Sequence, residues 1–595
     1  MGLAKWAGKL PIGTKQKLKS NPVILRFYTW LLSFSRKDYQ SWQYEIESAC
    51  WLPVIDNQTI KFSIVVPVYN PPFDIFKACI ESVVAQNYTN WQLVLVNDAS
   101  TCPQVNAYLS SLAKEQKQNV DVVFSPQNQH ICHASNKGIE KCYGDYIVFL
   151  DHDDALAPQA LNELAAKFIA EPNLKWVYSD EDLMTEKGRR VIPHFKSQWN
   201  PYLLQAHNYI THLCAYEKGV IETLGGFRPG FEGAQDYDLA LRASRELKPE
   251  QIGHVAKVLY HWRIHDNSTA SSSSAKPYTH KAGKQALQDH LEVMNIDATV
   301  QDGDLDNFFK VNYLPNTWPK ASIIVPTRDN KALLKACLDS VLSKTIYPDF
   351  EIIVMDNQSQ AVDAVEYLNM LNDHEKVRVI EHNKAFNYSE INNRAVELAS
   401  GEIIVLLNND TEVIAPNWLT EMVGLALQHD VGCVGAKLLY NDKTIQHAGV
   451  VLGLGGYAAH SHRGTPHNAS GYFNRANVNQ VLSAVTGACL AIRKETYQKV
   501  NGLDEGFQVA YNDVDFCLKV QQAGFYNVYC PYAVLYHYES KTRGEDNIDK
   551  EKTARFDKEK QRLLEKWQPI IENDPYYNPN LTRAKEDFSI NMEKR

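Results

Sequence analysis

The chain carries one series of sequence blocks twice, and that duplication limits its fold more than any other feature. "FSIVVPVYN" from Phe62 returns as "ASIIVPTRDN" from Ala321, and "WQLVLVNDAS" from Trp91 returns as "FEIIVMDNQS" from Phe350. "GDYIVFLDHDDAL" from Gly144 returns as "GEIIVLLNNDTEV" from Gly401. The offset is 259 for Ser63 and Ser322, 258 for Asp98 and Asp356, and 257 for Asp153 and Asp410. Further on, "GFEGAQDYDLALRA" from Gly230 matches "GFQVAYNDVDFCLKV" from Gly506, and "KVLYHWR" from Lys257 matches "AVLYHYE" from Ala533. There the offset has grown to 277 for Asp236 and Asp513 and to 276 for His261 and His537. An insertion of roughly twenty residues in the second copy follows, placed in "HAGVVLGLGGYAAHSHRGTPHNASGYF", whose glycines read as a loop.

Within each copy the apolar runs are short, β-branched and continuous: "SIVVPV", "QLVLV", "VDVVF" and "YIVFL", then "SIIVP", "EIIVM", "KVRVI" and "EIIVLL". Such runs suit strands buried on both faces of a parallel sheet. Between them "IFKACIESVVAQ" and "KALLKACLDSVLSK" repeat apolar residues at helical spacing. Alternating strands and helices predict two tandem doubly wound α/β domains, whose ligands bind beyond the carboxyl ends of the strands. Asp98, Asp151, Asp153, Asp356 and Asp410 all fall at those ends. The expected division is an N-terminal extension over 1–60, a first domain over 61–275, a linker over 276–318, a second domain over 319–545 and a C-terminal helix and strap over 546–595. The boundary is the Ser-rich "HDNSTASSSSAKPYTHKAG", followed by a short helix; the strap, "DPYYNPNLT", is expected to lie over the last domain.

Two domains accord with 595 residues, far beyond what one hydrophobic core organises. A formal charge of -9 gives no general excess of Lys and Arg for nucleic acid. Basic residues nevertheless crowd Met1 to Lys37, around "PVILRFYTWLLSF", and the first acidic residue is Asp38. That run is too short to span a bilayer and suits either a headgroup layer or the protein's own acidic surface. The 11 cysteines form no CxxC pair, and Met1 to Ser20 lacks an apolar signal core. These features predict a cytoplasmic protein, with membrane contact at most peripheral, on the inner face; the sequons at Asn57 and Asn468 read as surface turns.

Carboxylates as dense as those of "DHDD" repel one another unless a cation, hydrogen bonds or open water compensates. A pair spaced by one residue at a strand end suits Mg2+ or Mn2+, or else caps the following helix. The ordered set of "PVYN", a strand ending at Asp98, DxD, a GxxD helix start and a later YH pair resembles the GT-A fold of glycosyltransferase family 2. The resemblance covers about 62–268 and 321–544, with doubly wound mixed sheets flanked by helical N- and C-terminal extensions.

The resemblance implies roles. Pro67, Tyr69 and Asp98 line the base and ribose pocket, Asp151 approaches the ribose or the metal, and Asp153 ligates a metal bridging the donor diphosphate. In the second copy Pro326, Asp356, Asn408 and Asp410 take the matching places, with Asn408 replacing Asp151. His261 and His537 are implied as further metal ligands, against the alternative of packed Tyr-His pairs. His265, Arg263, Glu539 and Arg543 lie nearby for diphosphate or acceptor. Asp236 and Asp513 match the catalytic carboxylate, against the alternative of helix N-terminal acids favoured by the macrodipole. The repeated pairs Asp236/Asp238 and Asp513/Asp515 favour the catalytic reading.

The expected activity is a bifunctional inverting transfer of sugars from nucleotide-diphosphate donors to a lipid-linked surface polysaccharide. Similarity of "YSDEDLM", "NYITH" and "YHYESKTRG" to bacterial O-antigen and capsule enzymes suggests dTDP-L-rhamnose for at least one domain; UDP-hexoses, UDP-N-acetylhexosamines and UDP-galactofuranose are the alternatives. A second domain acting only as a carbohydrate-binding scaffold is the rival from another class. A sugar nucleotidyltransferase would need a Gly-rich basic phosphate loop after the first strand, which "PVYNPPFD" lacks.

Overall fold

The computed structural model describes residues 38–115, 119–265, 277–538 and 550–593. The basic run of Met1 to Lys37 and the candidates Glu539 and Arg543 lie outside them.

In the first half the strands are β1 (Phe62–Val68), β2 (Trp91–Asn97), β3 (Val120–Phe124), β4 (Tyr146–Phe149), β5 (Ala155–Leu156), β6 (Trp176–Thr185), β7 (Arg190–His194), β8 (Cys214–Glu217) and β9 (Ile252–Ile264). Their order is β3-β2-β1-β4-β8-β6-β9-β5, with β7 beside β6. A hairpin of β10 (Ala298–Asp302) and β11 (Phe309–Tyr313) follows. The second half supplies β12 (Ala321–Thr327), β13 (Phe350–Asp356), β14 (Val377–Glu381), β15 (Ile403–Leu407), β16 (Thr411–Val413), β17 (Val431–Leu439), β18 (Ile445–His447), β19 (Val450–Leu452), β20 (Ala458–His460), β21 (Gln480–Val481), β22 (Cys489–Arg493) and β23 (Tyr526–His537). The second sheet runs β14-β13-β12-β15-β22-β17-β23-β16, the same order position by position.

The first four strands of each order are parallel, and β8 and β22 enter antiparallel, so the sheets are mixed. Every residue of β1 and β2 is buried, because helices cover both faces. The helix Phe73–Val84 buries Phe76, Cys79, Ile80 and Val83, and Lys331–Lys344 buries Leu334, Cys337, Leu338 and Val341 at the same spacing. Inside each sheet one polar device repeats. Ser63 Oγ donates to Gln92 Oε1 and accepts from Gly144 N; Ser322 Oγ donates to Glu351 Oε1 and accepts from Gly401 N. A Cβ on Gly144 or Gly401 would lie 2.7 Å from backbone atoms of the neighbouring strand, which is why this close approach takes glycine.

Three segments depart from the sequence reading. The linker helix, Pro277–Val293, has 17 residues and packs on the first half through His290 Nδ1 on the Leu241 carbonyl, so it is not short. The insertion is a loop only in part: β19 and β20 pair as a hairpin, with Val450, Val451 and Leu452 buried. The apolar "VVL" gains more from burial than a solvated loop would. The strap that follows the helix Lys550–Glu572 lies over both halves, not the last alone. Asp574 accepts from Leu452 N and Ser483 Oγ in the second half, whereas Asn578 reaches Asp180 in the first. The halves also meet directly, through Asn200 and Val481, which exchange two hydrogen bonds, and Tyr202 Oη on Asp430.

Candidate active site

Both sheets end in the same turn. After β1 and β12 the chain enters the left-handed region at Asn70 (φ 46°) and Asp329 (φ 60°), and after β2 and β13 at Ala99 (φ 58°) and Gln358 (φ 62°). Asn70 Oδ1 accepts from Thr101 N and Cys102 N; Asp329 Oδ1 accepts from Gln360 N and Ala361 N. Short polar side chains that bond nearby amides stabilise such turns.

This turn revises one equivalence. Asn97 Oδ1 accepts from Ser100 N, and Asp356 Oδ1 accepts from Ser359 N, so Asp356 stands where the first half has Asn97. Pairing confirms it, since Val68 lies opposite Asn97 and Thr327 opposite Asp356. The partner of Asp98 is therefore Asn357. Asp98 is buried and accepts from Gln129 N with both oxygens; Asn357 instead donates to the carbonyls of His382 and Lys384. The blocks from Trp91 and Phe350, aligned residue for residue, already set Asp98 opposite Asn357; matching acid to acid shifted the equivalence by one.

In the first half one pocket is lined by Pro67, Asp151 and Asp236 together, with Asn208, His212, Phe149, Tyr216 and Phe227. Tyr69 is exposed beside it in sequence. Burial pushes the Asp151 carboxyl up, opposed by His212, whose Nε2 lies 3.9 Å from Oδ2. Asp236 is at the start of the helix Gln235–Glu246, and Asn208 Nδ2 donates to its Oδ2 at 2.9 Å. Burial raises this carboxyl too, again opposed by His212. His212 stacks on Tyr260, with ring centroids 4.5 Å apart.

The dense acids are compensated in three different ways. Asp154 is fully buried and accepts from Tyr260 Oη at 2.6 Å and Arg263 N at 2.7 Å; burial holds its carboxyl well above the usual range. Asp153 faces His265, Oδ2 to Nε2 2.8 Å. Asp151 faces the pocket. Among the described residues, one trio of carboxylates and imidazole brings its ligand atoms within 4.8 Å of one another: Asp151, Asp154 and His212.

His261 is not at Asp153. Its Nδ1 pairs with Asp182 at 2.7 Å, and Asp182 is held further by Arg190 and Tyr39. The cause is strand register. Ala155 pairs with His261, but its counterpart Glu412 pairs with Tyr536, and His537 lies one residue further on, opposite Thr411. A single-residue slip turns a side chain to the other face of the sheet. His537 consequently does face its carboxylate, Nε2 lying 3.2 Å from Asp410 Oδ1 and 3.4 Å from Asn408 Nδ2. Its Nδ1 is 2.7 Å from Gln446 Oε1, which fixes the ring with Nε2 toward Asp410. Carboxylate oxygen beside imidazole nitrogen, at Asp153 with His265 and at Asp410 with His537, is a mixed donor set that suits Mn2+ better than Mg2+, which takes oxygen ligands.

Asp513 starts the helix Asn512–Gln522 as Asp236 does its own, and accepts from Gly487 N at 2.9 Å. The second acid of each pair is structural. Asp238 binds Arg228 and Arg242, and Asp515 binds Lys566 and Trp567. Pro326 lies in β12, paired with Met355.

Two segments, 63–225 and 322–500, match the family described as Glycosyl transferase family 2, and together they make up more than half of the chain. The chain belongs to glycosyl transferase family 2. Among relatives of this family 2 chain, a protein of Sinorhizobium fredii named "Uncharacterized protein y4gI" is 46% identical over 535 residues, covering 89% of this chain and 59% of the relative. The "O-antigen biosynthesis protein RfbC" of Myxococcus xanthus is 36% identical over 531 residues, covering 89% of this chain and 41% of the relative. The chain thus spans about half the length of these relatives. Solved structures include S. aureus TarS 1-349 in complex with UDP-GlcNAc (TM-score 0.32, 17% identity, 38% of this chain and 65% of that one). Another is the mannosyltransferase PcManGT from Pyrobaculum calidifontis with GDP-Man and Mn2+ (TM-score 0.32, 17% identity, 52% of this chain and 78% of that one).

Sequence reasoning gave no role to Asn208 or His212, although both lie in "AHNYITHL". It also passed over Asn136 and Asn393, 257 residues apart, which hold the backbones of Phe227 and Leu503 ahead of the helices Gln235–Glu246 and Asn512–Gln522. The shared offset was the available signal.

Proposed function

We propose that this family 2 chain is a bifunctional inverting glycosyltransferase, with Asp236 and Asp513 as general bases. The observation that carries the reading is the first-half pocket, where Pro67, Asp151 and Asp236 converge and burial raises the Asp236 carboxyl. A carboxylate of raised pKa accepts a proton more readily from a sugar hydroxyl. The hydroxyl oxygen forms its bond to the anomeric carbon as the bond to the nucleotide diphosphate breaks; Asp236 takes the proton and the anomeric centre inverts. Asp153 and His265, and Asp410 and His537, would hold a divalent cation, which would supply Lewis-acid neutralisation of negative charge on the diphosphate. Pro67, Tyr69, Asp98 and Asp151, and Pro326, Asn357 and Asn408, serve the nucleotide sugar in this reading, with Asp356 holding the turn beside them.

The acceptor in this reading is a lipid-linked surface polysaccharide and the preferred donor of at least one half is dTDP-L-rhamnose; the name of the Myxococcus xanthus relative supports the polysaccharide class. Work at the inner face of the cytoplasmic membrane, through the basic run of Met1 to Lys37, belongs to the same reading. Among the described residues, no helix is long and apolar enough to cross a membrane. A screen of nucleotide sugars with a lipid-mimetic acceptor, run on the wild type and on Asp236→Asn and Asp513→Asn, tests it: each variant loses one transfer. Retention of every transfer by both variants refutes the assignment.

A second reading, with the second half a carbohydrate-binding scaffold, draws on Asn408 and Asn357 standing where the first half has Asp151 and Asp98. Donor turnover by Asp236→Asn that disappears on adding Asp410→Ala or Asp513→Ala excludes the scaffold.

A further inference from the structure

Lys196 is 1% exposed, an unusual burial for a lysine. Its ammonium donates to the carbonyls of Ile210 and His212 and lies 3.4 Å from Glu181 Oε2. Glu181, itself buried, accepts from Thr211 Oγ1 at 2.7 Å and His212 N at 3.2 Å. The pair therefore grips the loop 208–212 from within. That loop has Thr211 at φ 42°, a conformation costly for a β-branched residue and kept only where the surroundings impose it. It presents Asn208 to Asp236 and His212 to Asp151.

The grip has its own anchor. Lys196 N donates to Asp180 Oδ1 at 2.8 Å, and Asp180 is fully buried. Asn578, in the strap, donates to both Asp180 oxygens, at 3.0 and 2.9 Å, and to the Lys196 carbonyl at 2.8 Å. Asn580 N donates to Asn578 Oδ1, which orients the amide, and Gln198 N donates to the Pro575 carbonyl.

We propose that the carboxy-terminal strap is a positioning element of the first active site, acting from Asn578 through Asp180 and the Lys196–Glu181 pair on the loop that carries Asn208 and His212. The proposal rests on the reading of Asp236 as the base. Its consequence is that the first domain is catalytically complete only with a segment that follows the second domain. The test uses the full chain with Asp513→Asn, so that only the first site turns over donor, and compares it with the same chain carrying Asn578→Ala. A displacement of about 1 Å at a reacting group costs on the order of a hundredfold in rate. The expected result is a ten- to hundredfold fall in kcat with donor KM within about twofold, together with faster amide hydrogen exchange over 208–213 while β1 and β12 keep their protection. Asn578→Ser is the milder second variant and is read in the same way. An unchanged kcat, or protection lost equally across both sheets, overturns the proposal. Absence of turnover in the parent chain would mark failure of the functional reading, and the exchange measurement would still decide the role of the strap.

Discussion

Replacing Asp236 by Asn tests the base with little structural disturbance. Asn208 Nδ2 lies 2.9 Å from Asp236 Oδ2, and the oxygen of an amide at position 236 accepts the same hydrogen bond. What disappears is the capacity to take a proton. General-base catalysis contributes about 10²- to 10⁴-fold, which corresponds to roughly 3 to 5 kcal/mol in the barrier. Burial raises the Asp236 carboxyl. The wild-type rate at the first site therefore falls, as pH is lowered, through a midpoint above the ordinary aspartate value of about 3.9. The stability sign runs the other way. An acid whose folded pKa exceeds its unfolded one stabilises the fold at low pH, and that contribution is lost as pH rises through the folded pKa; each unit then costs about 1.4 kcal/mol at neutrality. Asn removes this cost, so Asp236→Asn unfolds at pH 7 no lower in temperature than the wild type. The assay is donor turnover in an Asp513→Asn chain across pH, with thermal unfolding alongside. Retention of more than a tenth of first-site turnover, or a clear loss of stability at pH 7, refutes the reasoning.

His265→Ala and His261→Ala separate the two histidines: the first weakens Mn2+ dependence of the first site by about tenfold or more. The second leaves that dependence in place and lowers stability by about 1 to 3 kcal/mol, since Asp182 loses a buried partner. Manganese titration of turnover and thermal unfolding read the two effects. Asn408→Asp restores a negative charge beside Asp410 and His537, and calorimetry should record tighter divalent-ion binding at the second half. Burial pushes the Glu181 carboxyl up, but Lys196, His194 and His212 outweigh it and bring it to about 2. Its stabilisation, about 3 kcal/mol, is complete above the usual glutamate value near 4.3 and is lost as pH falls toward 2; Glu181→Gln should flatten that part of an unfolding profile.

The two sheets and the duplicated carboxylates were legible because repeated blocks report themselves: a buried strand admits few residue types, and a second copy removes the ambiguity of short apolar runs. The resemblance to the family implied that Pro67, Asp151 and Asp236 belong to one site, and the three line one pocket. The pairing of Asp153 with His265 was not legible. Motif similarity aligned His261 with His537, yet side-chain direction in a strand reverses with every residue, and register is set by contacts across the sheet.

The sequence by itself determined a tandem α/β chain with acids at matching strand ends, because hydrophobic period and repetition are local properties of the chain. Only the tertiary structure decided which imidazole meets which carboxylate, that His212 and Asn208 join the first site, and that a strap near residue 578 braces it. Those facts depend on residues hundreds of positions apart arriving within hydrogen-bond distance, and no local pattern encodes such a meeting.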